Sequence, residues 1–311
     1  MKLVSVIIPC YKDSKTLCRA INSVVAQSYK LIEIIVINDC SPETEIIEKY
    51  LRNYPRIKYF YNKKNLGLAA SRNKGIQLAK GEIVAFLDAD DEYHPDKIKI
   101  QLEYLEENTV VTCEVLNILA NGKSYSKLRS DRLIIQPREI MFSNKLNGAG
   151  LLCQKKLILG MGGYNPSLKS CEDYDLWFRF LSIGIRVNVI SKPLYLYHFN
   201  SEGLSKNIRN ISRWELRVIK QYTSNMDLKW ENNFKYILVV FVWLIRHLIR
   251  SEDTANLELR EDTLKNGILL NKSPILKGLF YTIGYLRICA FFAFFKKYIY
   301  SNLPFKKLNE A

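Results

Sequence analysis

No Cys-x-x-Cys pair occurs in the 311 residues, and the seven cysteines, Cys10, Cys18, Cys40, Cys113, Cys153, Cys171 and Cys289, are odd in number. That usage argues against a disulfide framework or a cysteine-based zinc site and fits a reducing, cytoplasmic setting. No G-x-G-x-x-G follows the first apolar strand, which disfavours a dinucleotide oxidoreductase. A clean membrane-spanning run is missing: 237–245 is too short, and 275–295, although long enough, carries Lys277 and Arg287. Met1-Lys2 leads straight into a strand without a basic segment or a cleavage site, so no secretory leader is expected. Between residues 264 and 309 there is no acidic side chain, against eight Lys or Arg. No internal repeat and no low-complexity linker is present.

What the chain does have is apolar mass and positive charge. Hydrophobic residues make up 48% of it and aromatic residues 12%, enough for a substantial core rather than disorder. The net charge of +15 suits nucleic acid, an anionic membrane surface or phosphorylated substrates. The length allows one large domain with an appendage or two modest domains.

The first half alternates between short β-branched runs and helical patterns. Strands are expected at Leu3–Ile8, Ile32–Ile37, Ile57–Tyr61 and Ile83–Leu87, with helices over 15–27, from Ser41-Pro42-Glu43 to about Arg52, over 68–79, and from Pro95 to about Leu105. Strands separated by such helices predict an α/β fold with a doubly wound, mostly parallel sheet. The right-handed crossover rule then gathers the strand ends on one rim, where open α/β sheets bind ligands. Cys10-Tyr11, Asn38-Asp39 and Asp88–Asp91 fall on that rim. Further along, Val110–Leu119 reads as a strand, Asn121-Gly122 as a hairpin turn and Pro137 to about Ser143 as a short helix. Val187–Ile190 and Leu194–His198 read as two short strands, and the chain beyond about Ser205 reads as helical.

The most informative feature is Asp88-Ala89-Asp90-Asp91, directly after an apolar strand. Two carboxylates spaced i, i+2 about a small residue can hold a hard divalent cation, Mg²⁺ or Mn²⁺, and the cation can hold a diphosphate. An acidic turn after a strand is the plain alternative. Asp39 can accept a hydrogen bond from a nucleobase or cap the helix near Pro42. Arg72, in the small-residue loop Asn65–Asn73, can face a base or phosphate or lie solvated on its helix. Glu172-Asp173 either complements a helix dipole or supplies a general base. His198 is either a phosphate or metal ligand or a structural histidine.

Taken in order, Val4–Tyr11, Glu33–Asp39, Asn65–Asn73, Asp88–Asp91 followed by Pro95, and Glu172-Asp173-Tyr174-Asp175-Leu176-Trp177 resemble the motifs of family 2 inverting glycosyltransferases, over roughly residues 3–205. The resemblance implies a GT-A fold and transfer of a sugar, with inversion, from a nucleotide diphosphate sugar, a UDP-sugar above all, to an acceptor hydroxyl. It implies that Asp39 and Arg72 contact the base and that Pro9 and Tyr11 line the nucleotide pocket. Asp88 is placed near the ribose and the metal, Asp90 as the main metal ligand, and Asp173 as the catalytic base. Glu172 and His198 join the donor-binding set, the His198 loop resembling the segment that folds over the diphosphate. The chain departs from the pattern at Asn38-Asp39-Cys40-Ser41, where the family commonly has Asp-Asp-Gly-Ser. Asn210-Ile211-Ser212-Arg213-Trp214 only approximates the Gln-x-x-Arg-Trp of processive members, so a non-processive enzyme is expected.

The expected division is a catalytic domain over 1–205 and a helical region over 206–311. Basic residues interleaved with aromatics in that region suit an anionic membrane interface, placing the protein peripherally on the cytoplasmic face of an inner membrane. A lipid-linked glycan acceptor, in polysaccharide, O-antigen or capsule synthesis, would make that location useful. The alternative is a nucleotide-sugar-binding protein without turnover. Nucleic acid is not an expected partner, because no recognition motif accompanies the charge.

Overall fold

The computed structural model describes residues 2–119, 121, 122, 124–126, 135, 140, 144, 146–200, 208–225, 234–253, 257–270 and 273–285. The chain divides into two compact units, Met1–Gly203 and Leu204–Ala311.

In the first unit, every residue of strand β1 (Val4–Cys10) is buried. Continuous burial on both faces is what a strand with helices above and below requires. β1 lies between β2 (Ile32–Asn38) and β4 (Ile83–Phe86), and β3 (Lys58–Tyr61) pairs with β2, all in parallel. The intervening helices α1 (Leu17–Val25), α2 (Thr44–Leu51) and α3 (Leu68–Leu78) complete the crossovers. The first four strands therefore end on one rim, as their alternation with helices anticipates.

Beyond β4 the sheet departs from a parallel array. Its order is β3-β2-β1-β4-β8-β6-β9-β5, with β7 on β6. Here β5 is Glu92–Tyr93, β6 Thr109–Ile118, β7 Ser124–Ser126, β8 Leu152–Gln154 and β9 Arg186–His198. β8 runs antiparallel to both β4 and β6, and β5 antiparallel to β9, while β6 and β9 are parallel. Helix α4 (Lys97–Glu103) follows β5, α5 (Lys155–Gly160) follows β8, and α6 (Glu172–Ser182) precedes β9. The architecture is an α/β, GT-A type sheet flanked by helices, followed by a helical C-terminal region.

One expectation changes, and one strand was not expected. β9 is one strand rather than two, with a bulge where Cys113 pairs Ile190 but Glu114 pairs Pro193. Proline has no N–H to give to a ladder, so the strand passes it by irregular register instead of ending. β5, only two residues long, carries no sequence signal of its own; it forms because β9 offers it an edge. The hairpin at Asn121-Gly122 is present, with Gly122 at φ 78° and its N–H donating to the Leu119 carbonyl. The helix expected over 137–143 lies outside the described residues except for Ile140.

The second unit consists of helices α7 (Ile208–Asn225), α8 (Phe234–Asp253), α9 (Leu257–Lys265), a 3₁₀ turn (Asn266–Leu270) and α10 (Pro274–Tyr285). Leu216, Val240, Leu244, Leu248, Leu259 and Phe280 are among its buried residues. Arg213 pairs with Glu258 of α9 at 2.9 Å, and within α7 Arg217 lies 5.1 Å from the Trp214 ring. Among the described residues, no helix is long and apolar enough to cross a membrane.

Candidate active site

The rim of the parallel strands carries the site. Pro9 is buried in β1, while Tyr11, just past its end, is 41% exposed. One strand over, Asp39 is buried and already engaged: Oδ1 accepts from Leu66 N–H at 2.9 Å and Asn62 Nδ2 at 2.8 Å, Oδ2 from Gly67 N–H at 2.7 Å. It does not cap α2 near Pro42. It fixes the loop that begins α3, whose free N–H groups need such acceptors. Asn38, the departure from the family pattern, is fully buried; its amide donates to Thr44 and Tyr59 and its carbonyl accepts from Ser41 N–H. Those combined roles need an amide rather than a carboxylate.

The start of α3 sets Arg72, one turn in. Its guanidinium, 2% exposed, donates to Asp88 Oδ1 and to Glu172 Oε1, each at 2.8 Å. It lies 5.2 Å from the ring of buried Tyr164. Arg72 thus joins the strand-end carboxylates to the start of α6, and Asp88 and Glu172 come together through it. Asp173, the next residue, is half-buried. Its Oδ1 accepts from Tyr174 N–H at 2.7 Å and its Oδ2 from Asn144 Nδ2 at 3.1 Å. Burial holds its carboxyl above the usual aspartate range, opposed by the Arg72 charge and the Asn144 bond. Glu172 is likewise raised by burial and drawn back by Arg72. Asp175, in the same turn, is tied to Arg179 and is structural.

The Asp88–Asp91 segment accumulates negative charge. Burial, then Asp88, raises Asp90. Asp91 is pushed up to about 8 by burial, then by Asp88 and Asp90. Asp13, in the β1–α1 loop, is pushed up to about 6 by burial and by Asp90 and Asp88. The Asp90 carboxylate meets Asn200 Nδ2 at 3.3 Å, and Arg19 reaches its backbone carbonyl rather than its side chain. Asp91 is integrated further: Tyr195 Oη donates to it at 2.8 Å and His198 N–H at 2.8 Å. The His198 ring contacts Glu92 Oε1 at 2.6 Å. The β5–β9 pairing thereby carries His198 and Asn200 to the acidic segment.

Two carboxylates, Asp88 and Asp90, with carboxylate repulsion around them, are hard oxygen donors that fit Mg²⁺ or Mn²⁺. Among the described residues, no group of three or more His, Cys, Asp or Glu forms an ion cage. Mg²⁺ is commonly held by one or two carboxylates together with substrate phosphates and water.

Three residues bordering the site adopt the left-handed backbone without being glycine: Lys12 (φ 63°), Cys40 (φ 60°) and Cys171 (φ 61°). They lie beside Tyr11, Asp39 and Glu172. Such strain persists only where the surroundings over-determine it, which is common at functional sites. Sequence reasoning did not single out Asp13, Tyr164, Asn144, Asn200 or Gly148. A Cβ on Gly148 would lie 2.3 Å from Asp173 Oδ2, so glycine at 148 gives the carboxylate its room. Of these, only Asp13, an acid two residues past a strand-end tyrosine, was findable from sequence.

A GT-A sheet with acids at its strand ends and a carboxylate at the head of α6 defines the glycosyltransferase class. Residues 5–158 match the family model Glycosyl transferase family 2. A relative from Haemophilus influenzae, described as an uncharacterized glycosyltransferase, is 30% identical over 249 residues, 76% of this chain and 83% of its own length. The chain belongs to glycosyl transferase family 2. An uncharacterized glycosyltransferase of Rickettsia conorii is 34% identical over 227 residues, 67% of this chain. The match spans only 36% of that protein's length. A Bacillus subtilis relative, 27% identical over 66% of this chain and 82% of its own length, is described as a putative teichuronic acid biosynthesis glycosyltransferase, TuaG. Among solved structures, Staphylococcus aureus TarS 1-349 in complex with UDP-GlcNAc superposes with a TM-score of 0.68 at 20% identity, covering 93% of this chain and 88% of that one.

Proposed function

We propose that this protein is a metal-dependent, inverting, non-processive glycosyltransferase. It moves a hexosyl or N-acetylhexosaminyl group from a UDP-sugar to a hydroxyl of a growing surface glycan. The observation that carries this is Arg72 bridging Asp88, on the donor side, to Glu172, the neighbour of Asp173. Sugar-nucleotide chemistry needs charge handling at the diphosphate and a carboxylate facing the acceptor, and one guanidinium ties the two together. The UDP-GlcNAc complex of the TarS neighbour supports the donor class, and the description of the TuaG relative supports a surface-polysaccharide acceptor.

Tyr11 and Pro9 line the nucleotide side, with Asp39 and Arg72 beside the base. Asp39 retains lone-pair capacity beyond its three donors. Asp88 and Asp90 would hold the divalent ion, with Glu172 and His198 completing the donor site. When bound, the ion supplies Lewis-acid stabilisation of charge on the leaving diphosphate. Asp173 takes the proton from the acceptor hydroxyl as its oxygen bonds to the anomeric carbon. The bond from that carbon to the diphosphate breaks on the opposite face, and its electron pair leaves with the nucleotide. The raised carboxyl of Asp173 makes it a better base than an ordinary surface aspartate.

The basic, aromatic C-terminal helices are read as a peripheral anchor on an anionic cytoplasmic membrane surface, where a lipid-linked acceptor lies. On α10, Ile275, Leu279 and Tyr285 are exposed, consistent with that reading.

The test is a screen of nucleotide-sugar donors for metal-dependent release of nucleoside diphosphate, with acceptor profiling and liposome flotation alongside. Release from a UDP-sugar that Asp173→Asn abolishes is expected. Near-wild-type turnover in Asp173→Asn overturns the base assignment. Donor binding without turnover under any acceptor leaves only the binding-protein reading.

A further inference from the structure

Lys97 and Gln101 lie one turn apart on α4, and both are fully buried. Among the described residues, no carboxylate pairs with the Lys97 ammonium. Instead Nζ donates to Gln101 Oε1 at 2.6 Å and to the Gly150 carbonyl at 3.3 Å, and it lies 4.0 Å from the centre of the Tyr93 ring. Gln101 Nε2 donates to the same Gly150 carbonyl at 2.8 Å and reaches the Val111 carbonyl at 3.4 Å. One backbone oxygen thus receives both an ammonium and an amide. A lysine buried without a counter-ion is costly, and burial pushes its pKa down to about 8.

The position of that carbonyl gives the arrangement its purpose. Gly150 ends the turn Asn147-Gly148-Ala149-Gly150. The turn is closed by Gly150 N–H donating to Asn147 Oδ1 at 3.1 Å and held from the other side by Thr112 Oγ1 donating to the Asn147 carbonyl at 2.7 Å. Gly148, inside this turn, is packed so closely on Asp173 that a methyl group there would overlap the carboxylate. Tyr93, under the ammonium, follows the Asp88–Asp91 segment by two residues. Lys97 therefore touches both supports of the site: the segment that carries Asp90 and the turn that backs Asp173.

We propose that Lys97 and Gln101 are positioning residues for the transfer reaction, bracing the Gly148–Gly150 turn so that Asp173 keeps its orientation relative to the Asp88–Asp91 segment. Neither touches substrate; both act through the Gly150 carbonyl. The proposal rests on the reading of Asp173 as the base. An off-site displacement of the order of 1 Å can lower turnover about a hundredfold, which sets the size of the effect.

The experiment uses the full chain with Lys97→Met and, as a second route to the same carbonyl, Gln101→Leu. An apolar side chain of similar length in place of a buried charge is commonly tolerated, so a folded Lys97→Met variant is expected. Two readouts do not depend on transfer: amide hydrogen exchange over 147–151, with β1 as internal reference, and NMR titration of the Asp173 carboxyl. Faster exchange confined to 147–151 and a displaced Asp173 titration are expected. In the transfer assay, kcat falls about ten- to a hundredfold while the KM for donor stays within about twofold. Unchanged exchange and an unchanged Asp173 titration overturn the brace. Altered exchange with unchanged kcat and an unmoved acidic limb of the pH profile overturns the positioning role. Should the wild-type protein transfer no sugar at all, the functional reading fails, while exchange and titration still decide the brace.

Discussion

Arg72 donates to Glu172 Oε1 at 2.8 Å across 100 residues of sequence, and the same guanidinium holds Asp88. Removing it leaves two carboxylates without their cation, one of them buried. Arg72→Met is expected to destabilise the fold by about 3 to 5 kcal/mol, the usual consequence of breaking a buried pair from one side. It also acts on Asp173, the proposed base. Arg72 lowers the Asp173 pKa, so its loss moves that carboxyl further up. The base works ionised, so the acidic limb of kcat shifts to higher pH in the variant. Arg72→Lys does not restore activity, since an ammonium lacks the fork that spans two carboxylates. Denaturant melts and a pH–rate profile check both; an acidic limb that stays in place refutes the electrostatic coupling.

Gly148→Ala is expected to leave donor binding intact and damage turnover. A Cβ there meets Asp173 Oδ2 at 2.3 Å and its Cβ at 2.4 Å, so the side chain of the proposed base has to move. Turnover falls by about 100-fold, with nucleotide affinity by calorimetry within about twofold of wild type. Equal losses in both would place Gly148 in the donor pocket instead.

Cys40 occupies the place where the family pattern has glycine, and its φ is 60°. The backbone there keeps the conformation that glycine adopts freely, while the side chain contributes one weak contact, Cys40 Sγ to Tyr61 Oη at 3.3 Å. Cys40→Gly is expected to stabilise the protein by about 1 kcal/mol, raising Tm by about 2–4 °C, because left-handed strain is relieved. A lower Tm by calorimetry would mean that the thiol contact, or the entropy of the unfolded glycine chain, outweighs the strain.

The sequence was most legible where apolar runs and acids meet at strand ends. Val4–Cys10, Ile32–Asn38 and Ile83–Phe86 form the parallel core because nothing but burial suits such runs. The acids after them reach one rim by topology alone. Less legible was what each acid touches. Asp39 and Arg72 read as ligand-facing groups, yet both are bonded to protein atoms, because a loop start and two carboxylates compete for them. The two-residue β5, the unbroken β9 and the antiparallel direction of β8, though not its existence as a strand, depend on long-range edge pairing, which no local period encodes. The role of Gly148 is steric and visible only once α6 is packed against it.

A divalent ion should bind more tightly as pH rises from about 5 to 8, and the residues on the rim set that window. Asp13, pushed up to about 6, and Asp91, pushed up to about 8, hold protons first because burial disfavours their charged forms and then because neighbouring carboxylates repel them. A cation at Asp88 and Asp90 relieves that repulsion, so binding displaces protons and is favoured where fewer must leave. The same linkage fixes the sign for stability. Both folded-state values lie above the unfolded one, so without metal the protein loses stability as pH rises through that window. Added ion offsets the loss, by about 2.7 kcal/mol at a hundredfold excess over its Kd. Thermal melts with and without Mn²⁺, repeated with UDP present, should show an ion-dependent rise in Tm that grows with pH and is larger with the nucleotide. Asp90→Asn should remove the ion's effect on Tm while leaving the metal-free melt unharmed, since one of the repelling charges has gone. An ion-dependent rise that persists in Asp90→Asn would move the metal away from the Asp88–Asp90 pair.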